Sequence, residues 1–314
     1  MKTVYSIVVT YNGIKWIDKC LNSLINSRHT TYILVIDNGS SDETVAHIKL
    51  NFPQVQVIET GINLGFGQAN NAGICEALKN NADYVFLLNQ DAWVEPDTLL
   101  SLIRVHKNMG NYGIVSPIHL NGDGTAIDAY FLDYLAQSNI KGYLSDCILN
   151  DDELHSVIET SFINAAGWLL SRECICKVGG FDPIFFHYGE DRNYTNRVLH
   201  CGFKIAIDVK SRLFHDREER ISKPTPGLKA QLKRDWMDDL NQFCDIRQKN
   251  FKLLLFKRLL RYSFLLALNL LKWNVSLSAY YWGMVTNIIG SLSKISRSRI
   301  NTSCQNPAPY LKNA

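Results

Sequence analysis

Two short stretches near the N-terminus decide the fold class of this sequence. Residues 6–12 read SIVVTYN, and residues 35–42 read VIDNGSSD. In both, aliphatic and β-branched residues give way abruptly to small polar ones, which is typical of a strand buried on both faces and followed by a loop. Between them, residues 14–26 place apolar side chains at helical spacing. The pattern therefore predicts a strand–helix–strand unit.

The same alternation continues to about residue 107. We expect strands at 32–36, 55–58 and 84–88, and helices at 42–52, 66–80 and 96–107. Alternating strands and helices with short connections predict an α/β fold with a mostly parallel sheet and helices on both faces. Ligands of such sheets bind beyond the carboxyl ends of the strands. The polar loops at those ends are residues 10–13, 37–42, 61–71 and 89–94.

The second half of the sequence is less regular. Residues 120–160 are polar and rich in Asp, and we expect a loop with short elements there. Beyond it the pattern predicts further short strands and helices, at 162–170, 172–178, 191–201 and 203–207. Residues 227–300 are expected to be helical.

Composition excludes several classes of protein. Of the 314 residues, 46% are hydrophobic and 20% charged, which is ordinary globular usage and argues against a disordered chain, a collagen or a small disulfide scaffold. The charge is uneven: residues 1–246 carry a formal −8, and the remainder, without a single Asp or Glu, carries +11. A basic tail on an acidic body predicts an anionic partner, either a membrane or a nucleic acid.

The tail favours a membrane surface. One apolar stretch without charge, residues 262–271, has ten residues, whereas a bilayer span needs about 20. A second uncharged stretch, residues 273–293, has 21 residues, but polar side chains such as Asn274, Ser276 and Thr286 dilute it. On a helix, the basic residues Lys257, Arg258, Arg261 and Lys272 fall within about one third of the circumference. We therefore expect an interfacial helix with a basic face, and no nucleic-acid partner, because Leu-rich helices suit lipid better than a phosphate groove. The alternatives are a helical hairpin that simply packs on the domain and a true membrane span.

Location is predicted from two further features. The first residues run directly into a strand and show no secretory signal. The eight cysteines are scattered without a Cys-x-x-Cys pair, which indicates reduced thiols. We expect a cytoplasmic protein that lies peripherally on the inner face of the cell membrane.

Several loop residues are candidates for chemistry, although none is decisive alone. Asp37 can hold a nucleoside or simply close an Asx turn. Asp91, at the end of a buried strand, can take a divalent cation that clamps a diphosphate, or it can be an ordinary turn residue. Glu190 and Asp191 can act as a general base or as helix-starting acids. His215 alone does not indicate a functional site, because a lone His is usually structural. A P-loop is absent from the sequence, and Asn70 stands where a dinucleotide fingerprint needs its third Gly, which argues against that motif.

Taken together, five segments resemble family 2 glycosyltransferases with the GT-A fold, in particular their bacterial rhamnosyltransferase-like branch. They are SIVVTYN at 6–12, VIDNGSSD at 35–42, NLGFGQANN at 63–71, LLNQD at 87–91 and GGFDPIFFHYGED at 179–191. The resemblance covers about residues 3–220, and its strength lies in the order and spacing of the segments.

The resemblance implies roles for individual residues. The donor nucleotide would be bound by residues of the first four segments: Thr10, Tyr11, Asn12, Asp37, Asn38, Asn63, Gly65, Asn71, Asn89 and Gln90. Asp91 matches the metal-binding Asp of the family's Asp-x-Asp motif, with Asn89 in place of the first Asp, and His215 matches a family His near the metal. Asp191 matches the catalytic base, with Glu190 as the fallback. The acceptor would stack on Trp168, Phe186 and Tyr188.

The implied activity is inverting, metal-dependent sugar transfer. The donor would be a nucleoside-diphosphate sugar, with dTDP-rhamnose favoured and a UDP-hexose open, and the cofactor Mg²⁺ or Mn²⁺. The acceptor would be a hydroxyl of a lipid-linked or oligosaccharide glycan in bacterial surface polysaccharide synthesis. The catalytic domain would span residues 1–225, with a nucleotide-binding half to residue 115 and an acceptor half from 116, and the helical basic region would span 226–314.

Two other functions remain open. A nucleotidyltransferase would share the strand-end nucleotide site, although residues 10–15 are a poor version of its Gly- and Lys/Arg-rich loop. A non-catalytic nucleotide-binding scaffold of a membrane complex is the third interpretation.

Overall fold

The computed structural model describes residues 2–108, 110–149, 157–217, 227–302 and 309–311, with the backbone alone for 146–149. The chain forms two compact units. The first comprises Met1–Glu218 together with Asn306–Ala314, and the second comprises Glu219–Gln305. The domain boundary expected at residues 225 and 226 touches residues outside the described ranges and stays a prediction.

A nine-stranded mixed sheet forms the centre of the first unit. Its strands are β1 (Val4–Thr10), β2 (Tyr32–Asp37), β3 (Gln56–Glu59), β4 (Tyr84–Asn89), β5 (Ala92–Val94), β6 (Tyr112–Asn121), β7 (Val157–Thr160), β8 (Gly167–Ser171) and β9 (Lys204–His215). The order across the sheet is β3-β2-β1-β4-β8-β6-β9-β5, and β7 pairs with β9. β3, β2, β1 and β4 are parallel, which confirms the expected first half, whereas β8 joins β4 to β6 with antiparallel pairing.

Helices cover both faces of this sheet. In the first unit they are α1 (Ile17–Ile25), α2 (Thr44–Asn51), α3 (Phe66–Lys79), α4 (Thr98–Asn108), α5 (Ala129–Ala136), α6 (Ile140–Leu149), α7 (Arg172–Val178) and α8 (Glu190–His200). The side chains of β1 show why helices must cover both faces of the sheet. Val4 and Val8 point into one apolar core, Tyr5 and Ile7 into the other, because successive strand residues face opposite ways.

Residues 120–160 contain short elements, as expected, although the sequence did not locate them. α5, α6 and β7 lie there, and α5 starts at a cap: the Asp128 carboxylate accepts a hydrogen bond from the Phe131 N–H at 2.9 Å. Only Phe131 and Leu135 of α5 are buried. With so narrow an apolar face, the helix leaves little periodicity in the sequence. The strands β5 and β6 and the full length of β9 were also not predicted.

The cysteine prediction needs one correction. Cys20, Cys75, Cys174, Cys176 and Cys244 do not form disulfide bonds, as expected. Cys201 is disulfide-bonded, so the eight cysteines are not all reduced.

The end of the chain packs on the first unit. The Pro309 carbonyl accepts a hydrogen bond from the Gly180 N–H at 2.8 Å. The Leu311 carbonyl accepts one from the Cys75 thiol at 3.0 Å, and the Leu311 side chain packs against the apolar core. Residues 309–311 therefore cover the turn between α7 and the segment that leads to α8.

The second unit is helical, as predicted. It contains α9 (Leu228–Cys244), α10 (Phe251–Leu271) and α11 (Val275–Asn301), and α10 packs along α11. Arg258 ion-pairs with Asp239 of α9 at 3.1 Å, so it does not belong to an exposed basic face as expected. Within the described ranges, every helix is too short or too polar to cross a membrane.

Candidate active site

The carboxyl ends of three parallel strands bring the first polar groups together. Thr10 of β1 lies in register with Asp37 of β2, and Val9 lies beside Asn89 of β4. Because these strands run the same way, the loops that follow them meet at one edge of the sheet. This is the edge at which the sequence predicted donor binding.

Hydrogen bonds fasten these loops to one another. The Gln90 amide oxygen accepts from the Thr10 hydroxyl at 2.7 Å and from the Tyr11 N–H at 2.9 Å. Asn12, in a left-handed conformation with φ 49°, accepts from the Ser41 N–H at 2.8 Å. The Gln90 and Asn12 side chains therefore use much of their hydrogen-bonding capacity to hold the loops in shape. Tyr11 stays exposed beside them.

The Asp37 carboxylate closes a turn, while its contact with a nucleoside stays a prediction. Its carboxylate accepts from the N–H groups of Gly39 and Ser40 at 3.2 and 3.1 Å, the pattern of an Asx-type turn. Asn38 donates to the Asn63 side chain at 3.0 Å and accepts from Leu64 N–H at 2.8 Å. These contacts hold the loop after β3 against the loop after β2.

A buried acid–imidazole pair lies at the end of β4. The pairing of β5 with β9 sets His215 opposite Ala92, which follows Asp91 directly. His215 Nε2 is 3.3 Å from Asp91 Oδ1, and the two side chains are 1% and 5% exposed. The Asn89 amide nitrogen is 3.5 Å from the same imidazole nitrogen, and its oxygen is buried without a hydrogen-bond partner in the structure.

The two residues after His215 are anchored as well. The Trp16 indole N–H donates to Asp216 at 2.8 Å. Arg217 forms a two-point ion pair with Asp128, at 2.8 and 3.0 Å, and its guanidinium lies 5.1 Å from the Tyr130 ring. Three consecutive residues thus attach the end of β9 to β4, to the residue before α1 and to the start of α5.

Glu190 and Asp191 begin α8, directly after Gly189, whose φ of 91° is a left-handed value. Burial raises the pKa of Glu190 to about 8, and the neighbouring Asp191 adds a smaller contribution. Burial also raises the pKa of Asp191, while the Arg192 N–H, which donates to Oδ1 at 2.7 Å, opposes the shift. The Glu190 atom Oε2 is buried and has no hydrogen-bond partner in the structure.

Two predicted ligand contacts are corrected by burial. Trp168 has no exposed surface and stacks on Phe181 in the core, so it cannot offer a face to an acceptor. The Asn71 amide exchanges two hydrogen bonds with the Phe181 backbone, at 2.8 and 2.7 Å, so it fixes the segment before α8 and does not line a donor site. Phe186 and Tyr188 are exposed.

Gly65 links the donor loop to that same segment. It adopts φ 80°, and a Cβ there would collide with the Phe186 carbonyl oxygen. The loop after β3 and residues 181–189 therefore approach each other backbone to backbone.

The acceptor half contributes residues that the sequence did not single out. Arg192 stacks on Phe162, with 4.0 Å between its guanidinium carbon and the ring centroid, and Tyr134 packs edge-on against the same ring at 5.1 Å. Burial raises the pKa of Tyr134, with the charge of Asp191 as the next cause and Arg217 acting against it. The charges of both Asp191 and Arg217 therefore act on Tyr134. Only the position of Arg192 beside Asp191 could have suggested this cluster.

Comparison with known proteins identifies the class. Residues 6–162 match the family described as glycosyl transferase family 2, which is half of the chain. The chain belongs to this family, in its rhamnosyltransferase-like branch, and is a glycosyltransferase.

Two relatives cover most of the chain. It is 23% identical over 251 residues to the N-acetylglucosaminyl-diphospho-decaprenol L-rhamnosyltransferase of Mycobacterium tuberculosis, covering 74% of this chain and 82% of the relative. It is 24% identical over 257 residues to the dTDP-rhamnosyl transferase RfbF of Shigella flexneri, covering 80% and 82%.

Solved structures confirm the GT-A fold. The S. aureus TarS 1-349 structure in complex with UDP aligns with a TM-score of 0.52 at 15% identity, over 77% of this chain and 65% of that one, which is just under two thirds of its length. GalNAc-T7 with UDP, GalNAc and Mn²⁺ aligns with a TM-score of 0.55 at 17% identity, over 79% and 51%.

Proposed function

We propose that the protein transfers a sugar from a nucleoside diphosphate to a hydroxyl of a lipid-linked or oligosaccharide acceptor, with inversion, in bacterial surface polysaccharide synthesis. The observation that carries the proposal is the buried Asp91–His215 pair at the carboxyl end of β4, beside the loops after β1 and β2. This is where an α/β sheet of this topology presents a ligand site.

The favoured donor is dTDP-rhamnose. Both relatives are named rhamnosyltransferases, and the name of one includes dTDP. A UDP-hexose is the alternative, in view of the UDP in the TarS and GalNAc-T7 structures. The donor would contact the loops through Thr10, Tyr11, Asn12, Asp37 and Asn38, and through the loop residues Asn63, Gly65 and Gln90.

The residues at the end of β4 fit a divalent cation, Mg²⁺ or Mn²⁺. Asp91 supplies a carboxylate, His215 an imidazole nitrogen, and Asn89 a buried oxygen without a partner in the structure. Within the described residues no group of three His, Cys, Asp or Glu side chains is close enough to hold a metal. The protein therefore supplies few metal ligands, and phosphate oxygens of the donor would complete the coordination. When bound, the cation would stabilise negative charge on the leaving diphosphate.

Asp191 is the proposed base. Its carboxylate is oriented by the Arg192 N–H and would accept the proton of the attacking acceptor hydroxyl. Glu190 is the fallback, but its raised pKa keeps it protonated near neutral pH, so little of it is ionised and able to accept a proton. In-line attack from the acceptor side then inverts the anomeric carbon. Phe186 and Tyr188 would border the acceptor.

The second unit would hold the enzyme peripherally on the inner face of the membrane. The turn between α10 and α11 exposes a run of apolar side chains, with Leu271 80% and Trp273 90% exposed, around the cation Lys272. Beside them lies an apolar groove of about 540 Å³, lined by Leu266, Leu270, Trp273, Val275, Ser278, Ala279 and Trp282. Exposed apolar side chains among basic ones are what an anionic bilayer surface attracts.

Vesicle flotation tests this part. Leu271→Ser combined with Trp273→Ser should abolish binding to vesicles with anionic lipid. Leu50→Ser is a matched control, because Leu50 of α2 is equally exposed, at 80%, but lies in the first unit. Equal binding of all three proteins would refute the membrane role of the turn.

A thermal-shift panel tests the catalytic proposal. It compares dTDP, UDP, GDP and NAD, each with and without Mg²⁺ or Mn²⁺. A ligand at about 100 times its dissociation constant stabilises by about 2.7 kcal/mol, which is easily measured. A cation-dependent shift with one nucleoside diphosphate is expected, and a flat panel would contradict the proposed nucleotide site. Product analysis with the responding donor separates sugar transfer from nucleotidyl transfer.

A further inference from the structure

Arg192 has an unusual setting for an exposed arginine. Its guanidinium carbon lies 4.0 Å from the centroid of the Phe162 ring, so one face of the group is covered while the side chain remains exposed. With the described residues, its guanidinium forms no ion pair and no hydrogen bond. A guanidinium stacked in this way keeps the N–H groups of its edge for a ligand, and their fork geometry suits phosphate oxygens.

The position of this guanidinium relates it to the proposed base. Arg192 follows Asp191 in the first turn of α8, and its backbone N–H donates to the Asp191 carboxylate at 2.7 Å. Burial raises the pKa of Asp191, and the charge of the Arg192 guanidinium lowers it. The ring beneath it is itself fixed, because Tyr134 of α5 packs edge-on against Phe162 at 5.1 Å. A ligand group on the arginine would therefore be held at a defined place next to the base.

The other arginine of this region is already engaged. Both carboxylate oxygens of Asp128 bind Arg217, whose guanidinium also lies over Tyr130. Arg217 thus neutralises the acid at the start of α5. Of these two arginines, Arg192 is the one with edge N–H groups available.

We propose that Arg192 binds a phosphate group of the acceptor and so positions an acceptor hydroxyl at Asp191. This inference rests on the proposed function and narrows the acceptor to a sugar joined to its lipid through a phosphate or diphosphate. Phe162 and Tyr134 act as positioning residues, because they orient the guanidinium. The donor diphosphate is bound elsewhere, beside Asp91 and His215.

A matched pair of ligands tests the proposal. The first is N-acetylglucosamine joined to farnesol through a diphosphate, and the second is the farnesyl glycoside of the same sugar without the diphosphate. Binding of each is measured by calorimetry on the full-length protein with dTDP present. The variants are Arg192→Ala, Arg192→Lys and Phe162→Leu. Arg104→Ala is the control, since Arg104 is an exposed arginine of α4.

We expect Arg192→Ala to weaken binding of the diphosphate ligand at least tenfold and to leave the plain glycoside and dTDP within twofold. The affinities of Arg192→Lys and Phe162→Leu for the diphosphate ligand should lie between those of the unaltered protein and Arg192→Ala. The first variant keeps the charge without the forked N–H groups, and the second removes the stacked ring. Arg104→Ala should bind like the unaltered protein.

Several results would overturn the inference. They are unchanged binding in Arg192→Ala, an equal loss for both farnesyl ligands, a loss of dTDP affinity, or no preference of the unaltered protein for the diphosphate ligand. Failure of dTDP alone to bind the unaltered protein refutes the proposed donor, and it is seen separately from the Arg192 effect.

Discussion

His215 Nε2 lies 3.3 Å from Asp91 Oδ1, although 124 positions in the chain separate the two residues. The register of β5 on β9 brings them together, since His215 pairs with the residue that follows Asp91. A short three-residue strand thus places the imidazole at the end of β4. This arrangement brings together the few side chains that we propose as ligands of a cation, which in turn would bind the diphosphate.

Removal of the Asp91 carboxylate should weaken nucleoside-diphosphate binding in the presence of the cation. A tenfold loss of affinity removes about 1.4 kcal/mol of ligand stabilisation, which a thermal-shift titration resolves. The test compares Asp91→Ala with Asp97→Ala, a control that removes an exposed carboxylate paired with Arg28 at the surface. Equal nucleotide affinity in all proteins, with and without cation, would rule out a metal role for Asp91.

Asp191→Asn should retain donor binding and lose nearly all transfer. The amide has almost the shape of the carboxylate but cannot take the proton, and general-base catalysis typically contributes about 10²–10⁴-fold. The measurements are turnover with the donor found in the nucleotide panel and dTDP affinity by calorimetry. Asp18→Asn, at an exposed position of α1, serves as the control. Retained turnover would move the base to another residue, with Glu190 the first to test.

The ionisation of Glu190 should make stability depend on pH. Burial raises its pKa to about 8, while an unfolded Glu titrates near 4.3. Between these values the native state holds a proton that the unfolded state has released, so the free energy of unfolding falls as pH rises through this window. Glu190→Gln removes this term. The stability of the variant relative to the unaltered protein should therefore increase from pH 5 to pH 8.

Urea unfolding at pH 5, 6.5 and 8 measures this difference, and the pH dependence of other groups largely cancels in it. A constant difference across the three pH values would mean that Glu190 is ionised in the folded protein. The transfer rate offers a second readout. Above pH 8 a second negative charge appears beside Asp191, and a fall in rate there should be absent in Glu190→Gln.

The sequence anticipated the parts of the site that follow buried strands. Apolar runs that end in Asn, Asp or Ser marked Thr10, Asp37 and Asp91, because a strand buried on both faces leaves an unambiguous apolar signal. Trp168 was misjudged, since an aromatic residue in a strand looks the same whether it faces a ligand or the core. The Tyr134–Phe162–Arg192 cluster was invisible, because it forms through contacts between α5, the residues before β8, and α8 that no local pattern encodes.

The last three described residues should stabilise the segment that carries the base. The Pro309 carbonyl accepts the Gly180 N–H, and the Tyr310 ring lies 5.8 Å from the Arg197 guanidinium. Arg197 in turn donates to the carbonyls of Val178 and Gly180, at 2.8 and 2.6 Å. Without residues 309–311, the Gly180 N–H loses its acceptor and the buried guanidinium its cover. Each lost buried hydrogen bond costs about 1–3 kcal/mol.

Truncation after residue 308 should therefore destabilise the segment that leads into α8. Truncation after Leu311 is the control, because it keeps the contacts of residues 309–311. Hydrogen exchange of the peptide over residues 179–190 measures the effect locally, and faster exchange is expected in the shorter protein only. Equal exchange in the two truncated proteins would show that these contacts contribute nothing. The same contacts explain the choice of variants in the membrane assay. A deletion of the whole basic tail would also remove residues 309–311 and disturb the first unit. Substitutions at Leu271 and Trp273 leave the contacts of residues 309–311 in place.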